Sequence, residues 1–270
     1  MKELLAVAFE HLITALGDME EITAIGKSGG PALPVAGESD IDVFLFCDEF
    51  PCVDKRRVAL QTMGEEICVD SLGTVEGEYW GLIDFVRLQG VEVCLMYFTL
   101  EKTQRDVQAI CGGQRLEKED NYFYPTGRCA SILGMHVLLD RRGFLTGLKE
   151  ALLVYPAGLA RELTKHHGCR LMDSEDFERA VARKDVLFYH GTLDAAMDHF
   201  LQALFALNHC YFPSRKRSLA YIEGFEKKPA DCAQRLVRIV ALGGNADTIE
   251  QSYDMWTSLR EEFLAMLELS

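Results

Sequence analysis

From Ser131 onward the apolar residues recur almost only at helical spacing, whereas before that point helical and strand-like segments alternate. That switch in periodicity confines the chain to a mixed α/β (α+β) sheet domain followed by an all-α helical bundle. In the first half a helix is expected over 2–16, then a short apolar segment from Ile22 to Ile25, then a Gly/Pro-rich loop from Gly26 to Gly37. The run IDVFLFC, rich in β-branched and aromatic residues, reads as a strand. A helix over 54–66, strand-like pieces at Asp70–Val75 and Gly77–Val86, a strand in GVEVCLMYF (Gly90–Phe98) and a helix over 101–111 complete the pattern. Later helices are expected over 142–153, 156–166, 175–183, 192–210, 214–224, 229–241 and 246–268. In the longest, Leu193, Met197, Phe200, Leu201, Leu204 and Phe205 share one face. Asn121 to Arg128, with Pro125 and Gly127, reads as a linker, so the expected domains are 1–125 and 126–270.

Charge narrows the function. The chain carries a formal net charge of −14 and a pI near 5.0. An acidic surface repels phosphate backbones, so nucleic acid is not the expected partner and a cationic small substrate fits better. The nine cysteines form no CxxC pair, which argues for reduced, mostly buried thiols in a cytoplasmic protein over a disulfide framework or a zinc ribbon. In MKELLAVAFEHLITALG, Glu3 and Glu10 interrupt the apolar run while Leu4, Leu5, Phe9, Leu12 and Leu16 repeat at helical spacing. This reads as an amphipathic helix, not an export signal, and no stretch is apolar enough to span a membrane.

The stretch GKSGGPALPVAGESDIDVF, from Gly26 to Phe44, holds two competing motifs. Gly-Lys-Ser mimics the end of a phosphate-binding P-loop. That loop requires a glycine five positions earlier, where this chain has Glu21, and a carboxylate there would repel phosphate. The second motif is Asp40-Ile41-Asp42. In a strand, alternation places both carboxylates on one face, and a divalent cation would relieve their repulsion. A bare pair of this kind is more often a turn cap and a solvated edge residue. Here Gly29-Gly30 precede it by nine residues in a loop able to approach phosphate. A third carboxylate, Glu92, lies between Val91 and Val93 in a strand-like run, where an unpartnered acid is costly to bury.

A glycine pair, a spacer, two aspartates alternating with apolar residues, and a later glutamate between apolar residues together resemble the polymerase-beta-like nucleotidyltransferase superfamily. SDIDVFLF is similar to its central strand. The second half resembles the helical domains of its small-molecule members, which adenylylate aminoglycosides and lincosamides; LFALNHCYFPSRKR (Leu204–Arg217) carries that likeness. The resemblance covers about 26–98 for the motif core and, more loosely, 130–240. Where the family has Gly-Ser after an apolar residue, this chain has Ser28-Gly29-Gly30.

The resemblance implies transfer of a nucleoside monophosphate from a nucleoside triphosphate, ATP first among them, to a hydroxyl of a small molecule. Asp40 and Asp42, with Glu92 as third ligand, general base or both, would hold one or two Mg²⁺ ions. Ser28, Gly29, Gly30 and Ser39 would contact the phosphates, with Lys216 as a triphosphate contact, Arg215 and Arg217 as its rivals, and Asn208 either orienting the nucleotide or capping its helix. Two other readings stand beside this one: a protein-modifying or toxin–antitoxin type of nucleotidyltransferase, and a non-catalytic nucleotide-binding protein. Trp80, Asp84 and Tyr97 read as acceptor lining or as core and rim packing. His166-His167 reads as a solvated helix end, and Asp194 with Asp198 as a solvated acidic face or a contact for a cationic acceptor.

Overall fold

The apolar run of IDVFLFC becomes an inner strand of a six-stranded sheet. In the computed structural model, which describes residues 2–34, 37–77, 79–118, 123–171 and 175–268, the strands are β1 (Ile22–Lys27), β2 (Ile41–Cys47), β3 (Ile67–Leu72), β4 (Leu82–Leu88), β5 (Val91–Thr99) and β6 (His136–Asp140). Their order is β3-β4-β5-β2-β1-β6. β2 runs parallel to β5 and every other pairing is antiparallel, so the sheet is mixed. On one face, Ile41, Val43, Leu45, Val93 and Leu95 pack with Leu5, Phe9, Leu12 and Leu16 of helix α1 (Lys2–Gly17) and Leu60 of α2 (Val53–Gln61). On the other, the rings of Phe44 and Phe46 meet Phe98 at 5.9 and 6.3 Å between centroids. After α3 (Leu100–Cys111), helix α4 (Gly127–Gly134) brings the Arg128 guanidinium to 4.3 Å from the Phe98 ring, and Phe144 of α5 (Phe144–Leu152) packs on Phe46.

Two compact units result, Met1–Gln108 with Arg128–Val154 and Ala109–Gly127 with Tyr155–Ser270. A single cut at 125 differs from this division, because residues beyond it return to the sheet. Strand β6 was not expected after Ser131; its five residues lack the length to announce a strand, and they form one by pairing with β1. Gly26 permits the close packing there, since a Cβ would lie 2.8 Å from the Met135 sulfur and 3.0 Å from Leu145. The helix expected over 54–66 stops at Gln61, and 67–72 goes into β3 at the sheet edge.

Among the described residues the sheet unit buries one ion pair. Arg56 of α2 and Asp84 of β4 are 2% and 0% exposed, and a guanidinium nitrogen donates to the carboxylate. Arg56 also donates to the Pro51 and Gly73 carbonyls at 3.1 and 2.7 Å, and the Gly73 N–H donates to Asp84 at 2.9 Å. Tyr97 lies beneath the guanidinium, 5.3 Å from ring centroid to Cζ. Asp84 and Tyr97 are therefore core residues, whereas Trp80 is exposed.

The second unit is helical: α6 (Ala157–Gly168), α7 (Glu175–Arg183), α8 (Val186–Leu207), α9 (Ser218–Gly224), α10 (Cys232–Gly243) and α11 (Ile249–Glu268). Helix α8 opens on Asp185, whose carboxylate accepts from the Phe188 N–H at 3.1 Å. From Phe200 to Leu207 every residue of α8 is buried, so its last two turns are covered on all sides. Phe200 packs edge-on to Trp256 and against Phe263 of α11.

His167 is fully buried, contrary to the expectation of a solvated helix end, and its Nδ1 lies 2.9 Å from Nδ1 of His199. Burial first, then the charges of His199, His166 and Arg170, pushes the His167 pKa down to about 3. None of the described helices is long and apolar enough to cross a membrane.

Two outcomes follow from these buried groups. Arg56→Met leaves the Asp84 carboxylate without its partner and is expected to cost about 3–5 kcal/mol in urea unfolding. His167 stays neutral in the folded chain but takes up a proton near pH 6.5 when unfolded. Its contribution is therefore complete above about pH 6.5 and is lost as pH falls toward 3, at up to about 1.4 kcal/mol per pH unit. Unfolding curves of His167→Gln across that window are expected to show a shallower pH dependence than those of the parent.

Candidate active site

The motif stretch forms the end of β1, a loop, and the head of β2. Ser28 begins the loop, and its N–H donates to the Asp42 carbonyl at 3.0 Å, tying the loop to the carboxylate strand. Gly29 and Gly30 follow with φ of +76° and +80°. A Cβ at either would meet nothing within 4 Å, so the left-handed backbone, not lack of room, calls for glycine.

Lys27, the last residue of β1, is 3% exposed. Its Cα partner on β2 is Val43, which puts its side chain on the α1 face of the sheet, opposite to Asp42. From there Nζ donates to the Ser28 carbonyl at 3.1 Å and the Ala32 carbonyl at 3.0 Å. Burial pushes its pKa below the ordinary lysine value, with the Asp42 charge opposing that shift. The lysine of Gly-Lys-Ser thus fastens its own loop from behind, a role the failed P-loop spacing left open.

Asp40 is exposed and Asp42 half-buried, while their neighbours Ile41 and Val43 are 2% and 0% exposed on the opposite face. In the parallel register Asp42 stands beside Cys94 of β5. Ligand atoms of Asp40, Asp42 and Cys94 all lie within 4.8 Å of one another. Burial first, then the charges of Asp42, Asp40 and Glu92, pushes the Cys94 thiol up to about 11. Glu92 is exposed, one same-face position before Cys94, and does not fall within that cluster. Ser39 is exposed and its hydroxyl donates to the Asp40 carbonyl at 3.3 Å. Two carboxylates and a thiol able to converge on one point suit a divalent cation. The sequence shows Cys94 only as the second residue after Glu92; its place beside Asp42 depends on the strand register.

On the helical unit, Asn208 is the C-cap of α8. Its amide donates to the Leu204 and Lys227 carbonyls at 2.9 and 2.7 Å, and its oxygen accepts from the Lys227 N–H at 3.0 Å. That side chain is occupied in closing the helix end. Lys216 is exposed, and its backbone N–H donates to the Ser214 hydroxyl at 3.2 Å. Arg215 is drawn elsewhere, to Asp194 and Asp198. Asp198 is buried, not solvated, and accepts from Lys118 at 2.5 Å, Tyr124 at 2.6 Å and Arg215 at 2.6 Å. Burial works to raise its pKa, but these donors hold it below the ordinary carboxylate value. The cysteines also depart from expectation: none of the nine is in a disulfide, but only Cys47, Cys129 and Cys232 are buried, and Cys52, Cys68 and Cys169 are exposed.

Comparison with known proteins adds the following. Residues 124–217 match a family described as a domain of unknown function (DUF4037). The match opens at Tyr124 and closes at Arg217, spanning the Tyr124–Asp198–Arg215 knot. No curated protein matches the sequence. Among solved structures, a nucleotidyltransferase-like protein from Exiguobacterium sibiricum is similar at 11% identity and a TM-score of 0.47, over 97% of this chain and 77% of that one.

Gly29→Ala and Gly30→Ala are each expected to lower stability by about 1 kcal/mol through backbone strain alone. Urea unfolding of the two variants checks this; a cost well above that would place a steric contact where the structure has open space.

Proposed function

We propose that the sheet unit transfers a nucleoside monophosphate from a nucleoside triphosphate, ATP first among them, to a hydroxyl of a small molecule. An aminoglycoside- or lincosamide-like acceptor is the class to try first, since a cationic molecule suits a chain of net charge −14. One observation carries the reading: the glycine loop is hydrogen-bonded through Ser28 to Asp42 itself, so loop and carboxylates form one unit at the head of β2. This joins the two halves of the motif that resembles polymerase-beta-like nucleotidyltransferases.

In this reading Asp40 and Asp42 hold Mg²⁺, and the donor set at the head of β2 fits a divalent ion. When bound, the ion supplies neutralisation of the triphosphate charge. Gly29 and Gly30, with no side chains in the way, let backbone N–H groups approach the phosphates, and Ser28 and Ser39 add hydroxyls. Glu92, exposed at the start of β5, accepts the proton of the acceptor hydroxyl. The acceptor oxygen then bonds to the α-phosphorus and pyrophosphate leaves. Lys216 is proposed as a phosphate contact on the strength of the sequence resemblance.

Incubation with Mg²⁺, α-labelled ATP and a panel of hydroxylated acceptors tests the proposal. Label is expected on a small molecule, and Asp42→Asn is expected to lower its transfer by at least two to three orders of magnitude, roughly the effect of removing one preorganised charge-stabilising group. Transfer unchanged in Asp42→Asn overturns the mechanism, and label on a protein band overturns the acceptor class.

A further inference from the structure

We propose that Cys94 is the third protein donor to the cation bound by Asp40 and Asp42, which makes this a centre for a thiophilic divalent ion of the zinc, cobalt or cadmium kind. The inference rests on the reading of the two aspartates as cation ligands and puts a thiophilic ion in place of the Mg²⁺ of that reading. Three observations carry it.

First, the β2–β5 pairing is parallel with Asp42 and Cys94 as Cα partners. Side chains paired this way leave the same face of the sheet on strands about 4.8 Å apart. Asp40, two residues before Asp42, shares that face.

Second, the donor atoms already converge. The two carboxylates and the thiol lie within 4.8 Å of one another. Each donor to a shared ion sits roughly 2.0–2.3 Å from it, so small side-chain rotations bring all three onto one centre. Among the described residues no other trio of histidine, cysteine or carboxylate side chains does this. Glu92, the acid that the strand pattern offers for the third place, is outside the group.

Third, the surroundings of Cys94 are not those of a packing residue. It is half-buried beside two carboxylates, whereas Val93 and Leu95, on the opposite face, are fully buried in the apolar core. A small apolar side chain would gain little there, and a metal-binding sulfur gains a partner.

The donor type then sets the ion. Mg²⁺ takes an octahedral shell of oxygens and has no preference for sulfur. A thiolate favours zinc and its softer neighbours. On binding, the Cys94 S–H bond gives its proton to solvent and the sulfur lone pair goes to the metal. Three protein donors leave a coordination position for a phosphate oxygen or water, the arrangement of catalytic metal sites.

The test uses the full chain with its exposed thiols silenced by Cys52→Ser, Cys68→Ser and Cys169→Ser, stripped of metal and titrated with Co²⁺. A sulfur-to-cobalt charge-transfer absorption is expected, saturating at one equivalent and surviving excess Mg²⁺. Adding Cys94→Ser is expected to abolish the band and weaken Co²⁺ binding at least about tenfold, with the far-ultraviolet circular dichroism unchanged. Absence of the band in the parent, or its persistence in Cys94→Ser, overturns the proposal. The ATP-transfer assay run alongside separates the two readings. A Cys94-dependent band without transfer upholds the metal site and removes the transferase reading. Mg²⁺-supported transfer without a band does the reverse.

Discussion

The parallel pairing of β2 with β5 is the constraint on which the candidate site depends. Parallel neighbours need a long crossover, and residues 48–90 provide it through α2, β3 and β4. Because the two strands run the same way, their heads lie at the same edge of the sheet. Asp40 precedes β2 and Asp42 is its second residue, and Glu92 and Cys94 lie near the start of β5. An antiparallel pairing would have sent Cys94 to the far end of Asp42's strand. The charged donors are thus brought together by strand direction, while the strands are held by the apolar residues between them, Ile41, Val43, Val93 and Leu95.

Three buried ions, Lys27 and Arg56 in one unit and Asp198 in the other, each sit in a net of hydrogen bonds. Lys27 gives its ammonium to two loop carbonyls, Arg56 serves Asp84 and two carbonyls, and Asp198 accepts from a lysine, a tyrosine and an arginine. Such groups cost much desolvation energy when unpaired and hold their neighbours in one arrangement when satisfied. For Lys27 the neighbour is the glycine loop, so a residue that faces away from the aspartates helps to position the backbone in front of them.

Local pattern made much of this legible. The alternation around Asp40 and Asp42 put Ile41 and Val43 on the opposite face, and both are core residues. The failed P-loop spacing agrees with a Lys27 ammonium spent on carbonyls. Helical periodicity from Ser131 onward marked the bundle, though it passed over β6, and included the face of α8 that carries Leu193, Phe200 and Leu204. What escaped was non-local. β6 is a strand only because β1 has an open edge for it. Asp198 looked like a solvated helix residue because its partners Lys118, Tyr124 and Arg215 lie 80, 74 and 17 positions away. His167 looked like a helix end until helix packing buried it against His199.

The amino-acid order by itself determined most of the helices, the strands around Asp42 and Glu92, and which two aspartates share a face. These follow from periods of 2 and 3.6 and from the steric map of a single residue. Only the tertiary structure decided which side chain stands third beside Asp40 and Asp42. That choice turns on register between strands about fifty residues apart in the chain, where a shift of one position would turn Cys94 to the opposite face.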